Sequence, residues 1–199
     1  MVHSNLVIMF NCAQQLPPLM ISHLINVLPT YGQCPDIRIG MRAKFILSFL
    51  DYALYDYHTL DLSAKEVDYI GAQLVEAMVS VFSSHRYSEL EVLQVLTNLT
   101  KPPYFSRNIS LIFQGETSII TLIVQLLCSS QGAIQKSSLR LLLNLYSFSD
   151  EPSLKHIHGG SSSSVLTTLN TLASSEDTDM KELSNCVLLL LTTKSKYIA

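Results

Sequence analysis

The sequence lacks any long apolar run, and this absence excludes a membrane-spanning helix from its pattern. The longest predominantly apolar stretches are Leu6–Phe10, Ile119–Val124 and Cys186–Leu191, whereas a helix that crosses a bilayer needs about 20 apolar residues. Met1–Phe10 also lacks the basic start and the small-residue cleavage site of a signal peptide. We therefore expect a cytoplasmic protein that makes no contact with membranes.

Cysteines are few and widely spaced. The four thiols form no CxxC motif and show no other spacing typical of metal ligands; they are Cys12, Cys34, Cys128 and Cys186. Cys128 and Cys186 lie in strongly apolar helical segments, where a free thiol behaves as a small hydrophobic side chain. We expect these two side chains to pack in the core, in preference to forming a disulfide or binding a metal.

Motifs for catalysis and for phosphate binding are also absent. Gly159 and Gly160 are not followed by the lysine of a phosphate-binding loop, and the sequence has no serine elbow or paired-carboxylate motif. The pair His156 and His158 has no further ligand at a spacing suited to zinc. With a net charge of −3, the chain has no general attraction for nucleic acid. These absences predict a protein without catalytic activity, cofactor, metal or nucleic-acid partner.

What the sequence does contain is an apolar helical pattern that returns every 46 residues. Four segments align at this interval: Ala43–Leu54, Glu89–Thr100, Gln135–Tyr146 and Lys181–Thr192. Repeats of about 40–47 helical residues are typical of α-solenoids, whose repeats bury a core only by packing on their neighbours. The period therefore predicts an all-α solenoid, an architecture that usually serves as a binding surface.

The period divides the chain into repeats of one domain that spans 1–199. The predicted repeats are 14–56, 57–100, 101–148 and 149–199, and they follow a partial repeat at 1–13. The chain thus starts within a repeat. A fragment and a degenerate first cap are the two interpretations of that start.

Capping signals predict the helices of the central repeats. Ser88 with Glu91 forms a capping box, which opens a helix with an apolar stripe at Val92, Val95, Leu96 and Leu99. The following repeat is predicted to hold a short helix at 104–113, a second helix at about 118–128, a turn at 129–132 and a third helix at about 133–148.

The last repeat follows the same plan with weaker signals. A short helix is predicted at 150–158, and the apolar residues Val165, Leu166, Leu169 and Leu172 mark the second helix. After a turn at 174–177, Asp179 with Glu182 is predicted to cap the third helix. Its segment Cys186–Leu191 is apolar on every side, whereas a terminal repeat should have a polar outer face. We expect the C-terminal residues, a further repeat or a second molecule to cover it.

Gly115 is followed by an apolar segment through Leu127, and Leu93–Thr100 and Leu139–Tyr146 each hold a phrase of leucines with an asparagine. The first matches the second-helix phrase of the armadillo repeat family and the other two match its third-helix phrase, so the central repeats resemble that family. The resemblance covers 62–148 by motif and the flanking repeats by pattern only. The two-helix HEAT repeat is the alternative. The armadillo resemblance implies a right-handed superhelix of about four three-helix repeats.

The resemblance also implies a concave groove, lined by the third helices, in which an asparagine binds the main chain of an extended peptide. An amide suits this role because it is both donor and acceptor. By motif and by helical spacing, the implied groove residues are Glu91, Gln94, Asn98, Ser137, Arg140 and Asn144.

Two departures from the family pattern weaken this assignment. The equivalents of the groove asparagine in the outer segments are Tyr52 and Leu190, neither of which imitates an amide. The chain also has no tryptophan, whereas the nuclear-import members pair their asparagines with tryptophans. The alternative interpretation is that Asn98 and Asn144 only finish their helices by bonding nearby carbonyls.

These features predict a non-catalytic scaffold that captures an extended peptide or a helix of a protein partner along its concave face. One alternative is a structural segment of a larger scaffold or signalling protein, which self-associates through apolar terminal repeats. Another is an armadillo segment that serves an attached catalytic or signalling domain.

Overall fold

The computed structural model describes an all-helical protein. Its described residues lie in helices or in the turns between them, without any β-strand. These residues are 23–28, 30, 46–47, 73, 77, 89–100, 119–148 and 165–195. The predicted all-α class is therefore confirmed for this part of the chain, whereas the short helices predicted at 104–113 and 150–158 lie outside it.

Six helices fall within the described residues, and the bounds of α3 and α4 lie within one residue of the predicted ones. They are α1 at 23–28, α2 at Glu89–Thr100, α3 at Ile119–Leu127, α4 at Gly132–Phe148, α5 at 165–173 and α6 at Thr178–Ser195. Gly132, predicted to belong to the preceding turn, is instead the first residue of α4. Among these six, no helix combines the length and the apolar character needed to cross a membrane.

The chain divides into two compact units, Met1–Leu99 and Thr100–Ala199. In the first unit, the stripe predicted for α2 is buried as far as the structure describes it, since the side chain of Leu99 lies outside the described residues. The buried apolar side chains of this unit are Ile25, Leu28, Leu47, Ala77, Val92, Leu93, Val95 and Leu96.

The second unit shows the 46-residue period in its helices. α5 ends 46 residues after α3, and α6 begins 46 residues after α4. Helix α4 packs against α3 and also against α6. The period read from apolar residues is therefore a period of secondary structure within this unit.

Hydrogen bonds in the two turns repeat at the same interval. The amides of Ser129 and Ser175 donate to the carbonyls of Leu126 (3.1 Å) and Leu172 (3.0 Å). Each serine then accepts through its Oγ a hydrogen bond of 3.2 Å from the amide two residues later. Such local side-chain bonds hold the chain outside helical geometry, so the serine fixes where the following helix begins.

The N-cap of α6 is Asp177, and the prediction of a cap at Asp179 was wrong. The amide of Met180 donates to Oδ1 of Asp177 at 3.1 Å, and the amide of Lys181 donates to the carbonyl of Asp177 at 3.0 Å, which is the N-cap arrangement. Asp179 lies in the first turn of the helix. Aspartate is a common N-cap residue, so residue type alone does not distinguish Asp177 from Asp179. The turn held by Ser175 places Asp177 at the N-cap position.

Two neighbouring side chains of α4 tie this helix to its neighbours. Nε2 of Gln135 donates to the carbonyl of Leu127 at 2.9 Å and so satisfies one of the carbonyls left open at the end of α3. Nζ of Lys136 lies 2.8 Å from Oδ2 of Asp177 and 3.3 Å from Oδ2 of Asp179. The start of α6 is therefore held beside the start of α4.

Charge and hydrogen bonding in this cluster shift two pKa values in opposite directions. The hydrogen bond from Lys136, followed by the one from the Met180 amide, lowers the pKa of the Asp177 carboxyl. The same hydrogen bond to Asp177 is the main cause that raises the pKa of Lys136. Both shifts favour the charged forms that the ion pair requires.

Helix α4 is buried over most of its circumference. Its buried apolar side chains include Tyr146, which is 2% exposed, and this burial raises the pKa of the Tyr146 phenol. The others are Ile134, Leu139, Leu141, Leu142 and Leu145. In α6, burial is restricted to one side, formed by Met180, Ser184, Val187 and Leu191.

Three side chains predicted to be apolar and buried are exposed. Cys128 and Cys186 are free thiols at the surface, with Sγ of Cys128 3.9 Å from Oγ1 of Thr168, so their predicted core packing was wrong. Leu166 is 39% exposed, although it was assigned to the apolar stripe of α5. An apolar segment does not show which sides of its helix other helices cover.

One buried register position carries serine in both α4 and α6. Ser138 and Ser184 are 46 residues apart and fully buried. The hydroxyl of Ser184 donates to the carbonyl of Met180 at 2.8 Å, whereas Oγ of Ser138 has no hydrogen-bond partner among the described residues. A buried hydroxyl without a partner costs about 1–3 kcal/mol.

We therefore expect opposite effects from alanine at these two positions. Ser138→Ala should leave the free energy of unfolding unchanged or raise it by about 1 kcal/mol, because it removes an unpaired polar atom. Ser184→Ala should lower it by about 1 kcal/mol, because it removes a hydrogen bond. Urea denaturation followed by circular dichroism measures both, and a larger loss in Ser138→Ala than in Ser184→Ala would contradict this expectation.

The contacts of Asp177 with Lys136 and with the Met180 amide predict that the wild type and Asp177→Asn differ in thermal stability in a pH-dependent way. Asn also serves as an N-cap, so Asp177→Asn keeps the cap and removes the charge. At pH 7 the wild type should have the higher thermal midpoint, because its carboxylate pairs with Lys136. The lowered pKa of Asp177 makes this advantage complete above about pH 4, the usual carboxyl range, and removes it as pH falls through the folded-state pKa.

Thermal scans from pH 2 to 8 check this difference. Asp179→Asn serves as the control, since Asp179 is more exposed and lies farther from Lys136. It should lower the midpoint less than Asp177→Asn. Equal midpoints of wild type and Asp177→Asn at pH 7 in low salt would show that the cluster adds nothing to stability.

Candidate functional site

The six groove residues predicted from sequence lie on two helices, one in each unit. Glu91, Gln94 and Asn98 are on α2, and Ser137, Arg140 and Asn144 are on α4. Their spacings of three, four and seven residues place each set along one side of its helix. Each set is described within its own unit.

On α2, one predicted residue is clearly accessible. Gln94 is exposed and Glu91 is half-buried. Asn98 lies in the helix, but its side chain is outside the described residues. The amide of Gln94 is therefore the accessible hydrogen-bonding group that the structure describes among these three.

On α4, the three predicted residues differ in exposure. Arg140 is exposed, Asn144 is half-buried, and Ser137 is 7% exposed. Nδ2 of Asn144 donates to Oγ1 of Thr100 at 3.0 Å. Arg140 is thus the residue of this set with the most freedom to contact a partner.

The Asn144 bond differs in kind from the two roles considered in the sequence analysis. It is neither a bond to a peptide nor a bond to a nearby helix carbonyl, because its acceptor is a side chain 44 residues earlier. Such a bond joins distant parts of the chain within the second unit. Binding of a partner peptide by Asn144 stays a prediction, while a structural contribution is visible.

Two register positions are exposed on both α4 and α6, and they were not recognised in full from the sequence. They hold Arg140 and Ser147 on α4 and, 46 residues later, Cys186 and Thr193 on α6. We call these four residues the solvent stripe. Ser147 Oγ donates to the Leu143 carbonyl at 2.7 Å, and Thr193 Oγ1 donates to the Leu189 carbonyl. The period could have indicated part of this result. Cys186 lies 46 residues after Arg140, so the exposure expected for a charged Arg140 could also have been expected for Cys186.

The charges near the solvent stripe are unequally available. Lys136, one turn before Arg140, is paired with Asp177 and Asp179. Arg140 forms no ion pair with the described residues, and it is exposed. A guanidinium has five donors and stays charged at all physiological pH values. The stripe therefore offers one accessible cation with strong hydrogen-bonding capacity.

The described parts of the chain contain no group of three His, Cys, Asp or Glu side chains placed to hold a metal ion. The pair His156 and His158 considered above lies outside these parts. His23 on α1 is exposed.

Comparison with known proteins gives no relative from which a function could be transferred. No protein-family model, no curated protein and no solved structure matches the chain. Functional inference therefore depends on the residues and geometry described above.

The bond between Asn144 and Thr100 predicts a measurable coupling. Asn144→Ala and Thr100→Val should each lower the free energy of unfolding by about 1 kcal/mol, because each removes the hydrogen bond between these two side chains. If the bond is formed, the double variant should lose about 0.5–1.5 kcal/mol less than the sum of the two.

Urea denaturation of the four proteins in this cycle measures the coupling. Ser147→Ala is a useful control, since its hydroxyl is exposed and bonds within its own helix. Additive effects of the Asn144 and Thr100 substitutions would show that the two side chains do not stabilise each other.

Proposed function

We propose that this protein is a non-catalytic protein-interaction module of the cytoplasm, folded as an armadillo-type right-handed superhelix of three-helix repeats. In this proposal an extended peptide or a helix of a partner protein binds along the side of the third helices. The observation that carries it is the solvent stripe, in which equivalent positions of α4 and α6 remain exposed although most of α4 is buried.

The repeat geometry of the second unit supports this proposal. In its two helix–turn–helix segments, the helix ends that flank each turn and the hydrogen bonds within the turn repeat every 46 residues. Repeats that pack side by side present equivalent residues at regular intervals, which suits an extended ligand. Gln94 on α2 occupies the Arg140 register and is exposed as well.

Arg140 is the residue to which we assign the main polar contact. An extended peptide must have its main-chain groups satisfied where it is buried, and a guanidinium donates readily to carbonyl oxygens and to carboxylates. A partner segment with an acidic side chain among apolar ones fits this surface best. Ser137, which is buried, and Asn144, which donates to Thr100, are assigned a structural contribution in this proposal.

Selection of peptides from a phage-displayed random library on the full chain tests the proposal. Peptides selected on the wild type should be enriched in Asp or Glu. Their affinity for Arg140→Glu should fall at least about tenfold, because a charge-assisted hydrogen bond becomes a repulsion. Fluorescence anisotropy with labelled peptides measures the affinities.

Gln125→Glu provides the matched control, because Gln125 is an exposed polar residue on the neighbouring helix α3. This variant also introduces an exposed glutamate, but on α3 instead of α4, and should bind the selected peptides like the wild type. Circular dichroism confirms that both variants keep their helices. Peptides that bind Arg140→Glu as tightly as Gln125→Glu would show that the stripe is not the binding surface.

A further inference from the structure

Helix α6 packs against one side of α4, and the residues in this contact show which kinds of side chain cover that side. A Cβ atom on Gly132 would lie 3.8 Å from Cε of Met180, and Lys136 contacts Asp177 and Asp179. Gly132 and Lys136, four residues apart, therefore mark the side of α4 that faces the start of α6. We call the side of α4 that contains these residues its forward side.

Further residues lie on the forward side of α4 by helical spacing. Leu139 and Leu143 follow Lys136 by three and seven residues and so share its side. Leu139 is fully buried and Leu143 is half-buried. The forward side of α4 is thus an apolar surface with a lysine near its N-terminal end, and the structure shows helix α6 packed against it.

A shift of 46 residues identifies the forward side of α6. The equivalent residues are Thr178, Glu182, Asn185 and Leu189, and all four are exposed. Leu189 is 67% exposed, which makes it the more exposed of the two exposed leucines among the described residues. The surface that continues the α4–α6 packing is therefore open on α6.

Charge differs between these two equivalent sides. Lys136 on α4 meets the two carboxylates at the start of α6, whereas its equivalent on α6 is the acidic Glu182. A helix placed on α6 as α6 is placed on α4 would bring its N-terminus to Glu182. The N-terminus of a helix carries a partial positive charge, so Glu182 attracts it unless acidic residues cap it.

We propose that the forward side of α6 is a docking surface for an amphipathic helix of a partner protein. The bound helix lies with its N-terminus beside Glu182 and its apolar side against Leu189. It carries a neutral or basic residue where α6 itself carries Asp177 and Asp179. This inference concerns a different side of the third helices from the solvent stripe and does not rest on the proposed function.

Two labelled peptides test the proposal against the full chain. The first has the sequence of residues 175–195, which contains helix α6, and the second carries Asp177→Ser and Asp179→Lys in the same sequence. Fluorescence anisotropy at low salt should show the second peptide binding the wild type about threefold or more tighter than the first, because exposed charge pairs contribute on this scale.

Substitutions in the full chain test the orientation and the location of the bound helix. Glu182→Lys places a lysine on α6 at the position equivalent to Lys136 of α4. It should reverse the preference between the two peptides, so that the acidic first peptide binds tighter than the second. Leu189→Ser should weaken both peptides. Leu166→Ser, at the other exposed leucine, should leave both affinities unchanged and serves as the matched control.

Several outcomes would overturn the proposal. The absence of saturable binding of either peptide would do so, as would an unchanged preference in Glu182→Lys or equal losses in the two serine variants. A self-association that Leu189→Ser abolishes in light scattering would assign the surface to a second copy of the chain. Peptide binding that occurs only after removal of residues 196–199 would assign it to the C-terminal segment.

Discussion

The packing of α4 between α3 and α6 is the constraint on which the second unit depends. A single amphipathic helix can bury one side, but α4 carries apolar residues over most of its circumference and needs a neighbour on each side. Gln135 bonds the end of α3, and Lys136 bonds the start of α6. These two contacts, made by adjacent residues, hold α4 against both of its neighbours.

The 46-residue period is most precise where local hydrogen bonds define it. The Oγ of the serine in each turn accepts a hydrogen bond from the amide two residues later. The helices before the two turns end at equivalent positions, and the helices after them begin at equivalent positions. Residue type repeats least well on the forward sides of α4 and α6, where Lys136 and Leu139 correspond to Glu182 and Asn185. Equivalent helices of the second unit therefore carry different side chains on equivalent surfaces.

Local signals allowed the helices to be predicted well and the surfaces poorly. The bounds of α3 and α4 agree with prediction to within one residue, because caps, turns and apolar spacing act over a few residues. The same information placed Cys128 and Cys186 in the core, although both are exposed, and it did not indicate that Ser137 is buried or that Asn144 bonds Thr100. Their actual environments depend on side chains or helices tens of residues away, such as Thr100 for Asn144, and no local pattern encodes these.

The sequence by itself determined the all-α class, the period and the positions of the central helices, since each follows from residue types at short spacing. Tertiary structure alone decided which side of each helix is covered. It left Arg140, Cys186 and Leu189 exposed and buried Ser137, Ser138 and Tyr146. The physical reason is that burial is a property of two packed surfaces, so one helix's own sequence specifies only half of each contact.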